Sequence, residues 1–207
     1  MFDLDGTLVD SRRDIVISVN HTLKTLGLQE KVYDTVLSYV GTGLRNLIKE
    51  SLGKENEKYL KHAMKTFQNY YGENVPIKAT LYKNVKETLE HFKDKEKIII
   101  TNGSGEVAWH ILRSFGIDKY FRNVFGGDDE SCLKPSPCLI NKAIQNLNYA
   151  KSRMIMVGDM DLDILAGKAA DVHTCAVTYG IGKIEDIVKA RPDDIIDDIG
   201  KLKFILN

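Results

Sequence analysis

The 207-residue chain sets 29 Lys and Arg against 29 Asp and Glu, so no global field recruits nucleic acid or an anionic membrane, and a small-molecule partner is expected. It has no apolar run of the ~18 residues that cross a bilayer, and the early acids Asp3 and Asp5 argue against a secretory leader. A soluble, cytoplasmic protein is expected, of a length that suits one core with a smaller unit inserted in it.

The chain opens on Met1-Phe2-Asp3-Leu4-Asp5-Gly6-Thr7-Leu8-Val9-Asp10. Side chains alternate along an extended segment, so the carboxylates of Asp3 and Asp5 fall on one side, and Gly6 permits a sharp turn after them. One acid then ends a strand and the other rides on the turn, where both can work on one reacting atom. Ile15, Val19, Leu23 and Leu26 follow at steps of three and four and predict a helix over 11–26, stopped by Gly27. Two short helices, 33–40 and 44–52, flank Gly41-Thr42-Gly43. A longer one over 54–71 would turn Tyr59, Ala63, Phe67, Tyr70 and Tyr71 inwards. No strand pattern interrupts 13–79, which reads as an all-helical cap inserted just past the acidic turn, with Pro76 marking the return.

Beyond position 80, helix and buried strand alternate, the pattern of a parallel sheet with helices on both faces. Strands are predicted at 97–101, 124–125, 154–157, 172–177 and 194–196, and helices at 85–92, 106–115, 138–147, 161–170, 184–190 and 199–206. The fold class is α/β: a Rossmann-like doubly wound parallel sheet formed by 1–12 and 80–207, with the helical cap inserted between. Cys132, Cys138 and Cys175 show neither a disulfide framework nor zinc spacing and are expected as thiols. Cys132 and Cys138 bracket Lys134, whose charge would lower the pKa of a nearby thiol.

Open parallel sheets bind ligands beyond their strand ends, so the residues after each apolar run matter. Asp3 and Asp5 follow the first and Thr101-Asn102-Gly103 the second. Lys134-Pro135-Ser136-Pro137 precedes a helix, and Gly158-Asp159-Met160-Asp161-Leu162-Asp163 follows a later strand. Taken singly, each segment has a plainer reading: a strand-to-helix turn for the second, a solvated lysine, and helix-capping acids at Asp161 and Asp163. For Asp161 that capping reading is kept. In order and type, the four segments together resemble the motifs of the haloacid dehalogenase superfamily of phosphohydrolases, and the likeness spans the chain.

That resemblance implies roles. Asp3 would be the nucleophile, attacking phosphorus to give an aspartyl phosphate, and Asp5 the general acid and base. Asp159, Asp3 and the backbone carbonyl of Asp5 would hold Mg²⁺, a hard cation suited to oxygen ligands, while Asp163 fixes its waters. The Thr101 hydroxyl and the Asn102 and Gly103 N–H groups would bind phosphoryl oxygens, and Lys134 would add positive charge beside Asp3. Gly41-Thr42-Gly43-Leu44-Arg45 resembles the substrate-specificity loop of phosphoglycolate phosphatase-like members, in which Gly43 and Arg45 would meet the substrate and Arg45 would pair with its carboxylate. The implied activity is Mg²⁺-dependent hydrolysis of a small phosphate monoester. Inorganic pyrophosphatase, sugar-phosphate mutase and a non-catalytic phosphate-binding module stay open beside it.

Three departures carry expectations of their own. Only Met1 and Phe2 precede Asp3, so residues upstream are expected to complete the first strand. Asn84 stands where the family turn has glycine, whose positive φ asparagine can adopt. Asp171 stands where glycine usually follows a helix, a strained choice.

Overall fold

The computed structural model describes every residue except Asn146, Asn148 and Asn207. After an extended start come β1 (Val9–Asp10), α1 (Arg12–Thr25), α2 (Tyr33–Leu37), α3 (Leu44–Leu52), α4 (Leu60–Asn74) and β2 (Thr80–Leu81). Then α5 (Val85–His91), β3 (Ile98–Ile100), α6 (Gly105–Ser114), β4 (Asn123–Phe125) and α7 (Cys138–Ile144) follow. The chain ends through β5 (Ile155–Gly158), α8 (Asp161–Ala169), β6 (His173–Val177), α9 (Ile184–Ala190), β7 (Asp194–Ile196) and α10 (Leu202–Ile205).

All core strands run parallel: β4 pairs with β3, and β5, β6 and β7 pair in that order. Phe2 joins the two groups through parallel bridges to Ile99 and Val157. Its N–H donates to the Ile98 carbonyl at 2.9 Å, and the Asp3 N–H donates to the Val157 carbonyl at 2.9 Å. Short as it is, the opening segment thus occupies the middle of the sheet and delivers Asp3 at its end. Strand alternation divides the core in two. Ile99 packs with Leu112 and Ile117 on one face, while Ile98 and Ile100 pack with Met156 and Ile140 on the other.

The helical segment buries the stripes that its periodicity calls for, with Ile15, Val19 and Leu23 of α1 against Ala63, Phe67 and Tyr71 of α4. Tyr70, also expected inwards, is only partly buried and stacks on the exposed His21, and Tyr59 departs further. It ends a 3₁₀ stretch, Lys54–Tyr59, that precedes α4, and it stands 37 % exposed. The ribbon of β1 and β2, antiparallel with Val9 opposite Leu81, was absent from the sequence reading. Two-residue strands are too short to show a period. They tie together the two chain crossings between core and helical segment. Asp14 reinforces the same junction by accepting the N–H groups of Ile77 and Lys78, each at 2.7 Å.

Asn84 and Asp171 adopt φ of 62° and 61° as expected. The helix predicted over 138–147 ends at Ile144, and its position 146 lies outside the described residues. At the C-terminus a 3₁₀ turn, Ile199–Lys201, leads into α10 in place of one longer helix. Cys132 and Cys138, expected as thiols, are joined in a disulfide with Cα atoms 5.0 Å apart. Pro135 and Pro137 between them turn the chain back on itself, which spacing alone does not reveal. Cys175 is a buried free thiol. Among the described residues no helix is long and apolar enough to cross a membrane.

Candidate active site

Lys134 reaches Asp3 from the loop before α7. Its Nζ donates to Asp3 Oδ1 at 2.7 Å, to Asp163 Oδ1 at 2.6 Å and to the Ile100 carbonyl at 2.9 Å. All three side chains are buried. Burial alone would lower the Lys134 pKa, but Asp163 and Asp3 outweigh it and hold the ammonium above its ordinary value. This lysine is a fixed internal charge.

Asp159 follows β5 and is fully buried. Its Oδ1 accepts the Thr7 hydroxyl at 2.8 Å, and Oδ2 accepts the N–H groups of Ile181 at 2.7 Å and Gly182 at 3.3 Å. Asp163 Oδ2 accepts the Met160 N–H at the start of α8 at 3.0 Å, leaving Oδ1 for Lys134. The capping role read for Asp161 thus belongs to Asp163, two residues further into the helix. Carboxylate oxygens of Asp3, Asp159 and Asp163 lie within 4.8 Å of one another. Two glycines make this crowding possible. A Cβ at Gly6, which has φ +92°, would come 2.2 Å from Asp159 Oδ2, and one at Gly158 would come 2.2 Å from the Asp163 side chain.

Three carboxylates around one ammonium leave an excess of buried negative charge. Burial first, and then Asp163, pushes Asp159 up to about 7. Burial also raises Asp3 well above the carboxylate range, with Lys134 opposing and Asp163 and Asp159 adding to it. An all-oxygen, anionic, crowded donor set fits a hard divalent cation such as Mg²⁺. The linkage has a definite sign. Unfolded Asp titrates near ~3.9 and folded Asp159 near about 7, so between these values the folded, metal-free chain binds more protons and its stability falls as pH rises. Mg²⁺ displaces those protons. Calorimetric titration with Mg²⁺ at pH 6, in buffers of different ionisation enthalpy, is expected to show proton release and an affinity that climbs towards pH 8. A pH-independent affinity would contradict this charge arrangement.

The remaining predicted residues divide. Thr101 is buried, and its Oγ1 accepts the Gly103 N–H at 3.0 Å. The Gly103 donor, expected to face a phosphoryl oxygen, is therefore engaged by the neighbouring hydroxyl. Asn102 does more than its backbone promised. Its Nδ2 donates to the carbonyls of Gly41 at 2.8 Å and Lys134 at 3.0 Å, and its Oδ1 accepts the Lys134 N–H at 2.7 Å. One amide thereby ties the lysine loop to the helical segment. Asp5 lines the same cavity as Asp3, with its Oδ1 buried and unpartnered and its pKa raised by burial.

The cavity, with an internal volume of about 120 Å³, lies between this acidic cluster and side chains of α1, α3 and α4. Gly43 and Leu44 form part of its wall, but Arg45 does not point into it. Arg45 Nε lies 3.8 Å from Glu130 Oε2 on the surface, with side chains 56 % and 54 % exposed. Successive helix positions turn by ~100°, so placing Leu44 inwards carries Arg45 to the rim. In this arrangement Arg45 meets Glu130 and not the cavity where a substrate carboxylate was expected. Sequence reasoning missed Thr7, the 181–182 loop and the Asn102 side chain. Thr7 stood in the quoted motif, but no local pattern marked the other two.

A doubly wound sheet with an acid at its central strand end and helices over that edge defines a class of α/β hydrolases. The family of haloacid dehalogenase-like hydrolases matches residues 1–177, and the chain belongs to it. A phosphoglycolate phosphatase of Haemophilus influenzae is 35 % identical over 215 aligned residues, covering 99 % of this chain and 96 % of its own length. One from Aquifex aeolicus is 35 % identical over 202, covering 95 % and 93 %. Among solved structures, a predicted phosphoglycolate phosphatase from Haemophilus somnus superposes with a TM-score of 0.92 at 32 % identity, covering 100 % and 96 % of the two chains.

Proposed function

We propose that this chain is a Mg²⁺-dependent phosphatase that hydrolyses small phosphate monoesters through an aspartyl-phosphate intermediate on Asp3. The observation that carries the reading is the convergence of Asp3, Asp159 and Asp163 on one another, with Lys134 bonded to two of them. Asp3, Asp159 and the Asp5 carbonyl would hold the ion, and Asp163 would orient its waters. Bound there, the cation offsets the repulsion between an anionic nucleophile and an anionic phosphate.

In the first step an Asp3 carboxylate oxygen attacks phosphorus and the bond to the leaving oxygen breaks. Asp5, whose pKa burial raises, gives that oxygen its proton. In the second step Asp5 takes a proton from water as the water attacks the same phosphorus, freeing phosphate and restoring Asp3. Thr101 and the Asn102 backbone contact the phosphoryl oxygens, with Lys134 as a fixed counter-charge. Segment 13–79 acts as the cap that closes over the substrate, with Gly43 on its inner wall, and the enzyme works in the cytoplasm on a free metabolite. The shared name of the relatives brings phosphoglycolate forward as the reference ester.

The test is phosphate release from a panel of monoesters and pyrophosphate, with and without Mg²⁺, with acid-quenched samples checked for phosphate covalently held by the enzyme. Turnover of pyrophosphate alone, phosphoryl transfer between sugar positions, or no turnover would each replace this reading with one of its rivals. Arg45→Ala is expected to change kcat/KM for any ester by about twofold or less, since exposed ion pairs contribute only ~0–1 kcal/mol. A tenfold rise in KM for phosphoglycolate alone would return Arg45 to the site.

A further inference from the structure

The Cys132–Cys138 disulfide closes a ring around the Lys134 loop. Cys132 ends the 3₁₀ turn Glu130–Cys132, Cys138 opens α7, and Lys134 lies between them. Inside the ring the Ser136 N–H donates to the Leu133 carbonyl at 2.9 Å. Leu133 also touches the helical segment, since a Cβ at Gly43 would come 2.6 Å from its Cδ1. Asn102 joins the same pieces, with its Nδ2 on the carbonyls of Gly41 and Lys134. The ring thus carries the lysine that bonds Asp3 and Asp163, and it props the cavity wall at Gly43.

The two sulfurs are not equivalent. Cys132 is 4 % exposed, whereas Cys138 is only half-buried. Lys134, whose charge the sequence placed near both, is turned instead to Asp3, Asp163 and the Ile100 carbonyl. Its place is taken by Lys142, one turn along α7 from Cys138, whose Nζ lies 3.1 Å from Cys132 Sγ. Thiol–disulfide exchange runs fastest when an accessible sulfur is attacked and the other departs as a stabilised thiolate. Exposure favours attack at Cys138, and the Lys142 ammonium favours Cys132 as the leaving group.

We propose that Cys132 and Cys138 form a thiol–disulfide modification site that sets the rate of the enzyme by fixing or releasing the Lys134 loop, with a low-molecular-weight thiol and its disulfide as the redox partners. The effect on rate rests on the phosphatase reading above, whereas the exchange itself does not. In reduction a small thiolate attacks Cys138 Sγ, the S–S bond breaks, and Cys132 leaves with the electron pair as a thiolate beside Lys142. A second small thiolate attacks the small partner's sulfur in the mixed disulfide, which frees Cys138 and releases the small disulfide. Two small thiols thereby give two electrons and two protons to the cysteine pair, and oxidation retraces the same steps. The oxidised form is the faster one, because the closed ring holds Lys134 against Asp3 and reduction returns chain freedom to the loop.

Thiol trapping and kinetics in glutathione buffers of graded thiol-to-disulfide ratio test this. Unfolded in the trapping reagent, the parent is expected to yield one free thiol from oxidising buffer, that of Cys175, and all three from reducing buffer. Across the same midpoint, kcat for p-nitrophenyl phosphate with Mg²⁺ is expected to fall about tenfold on reduction. The Kd for inorganic phosphate, which senses the Lys134 charge without turnover, should rise about fivefold. Cys138→Ser is expected to show the reduced values in every buffer. Lys142→Gln should be reduced about fivefold more slowly, while its oxidised form keeps the parent kcat. A merely structural disulfide would lower the melting temperature on reduction and leave kcat and the phosphate Kd of the folded enzyme unchanged, which would overturn the proposal. Three free thiols in every buffer, a disulfide that glutathione does not reduce, or a Cys138→Ser variant that follows the buffer as the parent does would overturn it equally. Reduction of Lys142→Gln at the parent rate would overturn the choice of leaving sulfur. Absence of turnover by the parent, with the thiol count and the phosphate shift as expected, would overturn the phosphatase reading alone.

Discussion

Asp3→Asn is expected to lower kcat for any phosphate monoester by about ten-thousandfold or more, the scale on which removal of a covalent nucleophile acts. The amide matches the carboxylate in shape but cannot attack phosphorus or carry the phosphoryl group. Folding should not suffer. Lys134 keeps Asp163 at 2.6 Å and the Ile100 carbonyl at 2.9 Å, and one buried charge of a crowded set is gone. The metal-free melting temperature is therefore expected to hold or rise, most visibly at neutral pH, where Asp3 and Asp159 in the parent compete for protons. Phosphate release and a melting curve on the same preparation check both halves. A variant that keeps a tenth of the parent kcat would remove Asp3 from the chemistry.

Lys134→Ala is expected to fail in two ways. It deprives the phosphoryl group of its fixed counter-charge, a loss on the order of a thousandfold in kcat, and it strips Asp3 and Asp163 of the ammonium bonded to both. Breaking a buried ion pair from one side costs ~3–5 kcal/mol, so the metal-free variant should be strongly destabilised at pH 7. The pH dependence follows from direction alone. Burial already raises the Asp3 carboxyl against the opposing charge of Lys134, so without the lysine it holds its proton to still higher pH when folded than when unfolded. The folded state then gains relative stability as pH falls, and the deficit against the parent should shrink towards pH 4. Mg²⁺ should recover part of the stability but little of the rate. A deficit that grew on acidification would mean that the lysine serves packing and not charge.

The two outcomes also show where local pattern was informative. Ile98-Ile99-Ile100 reads as a strand because its apolar run is short and β-branched, and alternation then sends Ile99 to one core face and its neighbours to the other. Ile15, Val19 and Leu23 announce one face of α1 in the same way. Tyr59 shows the limit of that logic: the helical spacing was right, but the backbone there is 3₁₀, and the residue turns outwards.

The site was legible in kind and order, because a carboxylate pair, a hydroxyl-bearing turn, a lysine and a second acidic turn each follow an element whose period can be read nearby. Its wiring was not. Thr7 meets Asp159 across 152 positions and Asn102 meets the Lys134 loop across 32, while Arg45 sits one residue from where it was expected to act. The amino-acid sequence alone determined the alternation of helix and strand, the neutral charge balance and the chemical identity of the acids. Only the tertiary structure decided that Asp3 lies between β3 and β5, that Cys132 meets Cys138, and that Tyr71 and not Arg45 faces the cavity. Periodicity records which side of its own element a residue occupies. Which distant surface fills the space opposite is set by packing of the whole chain.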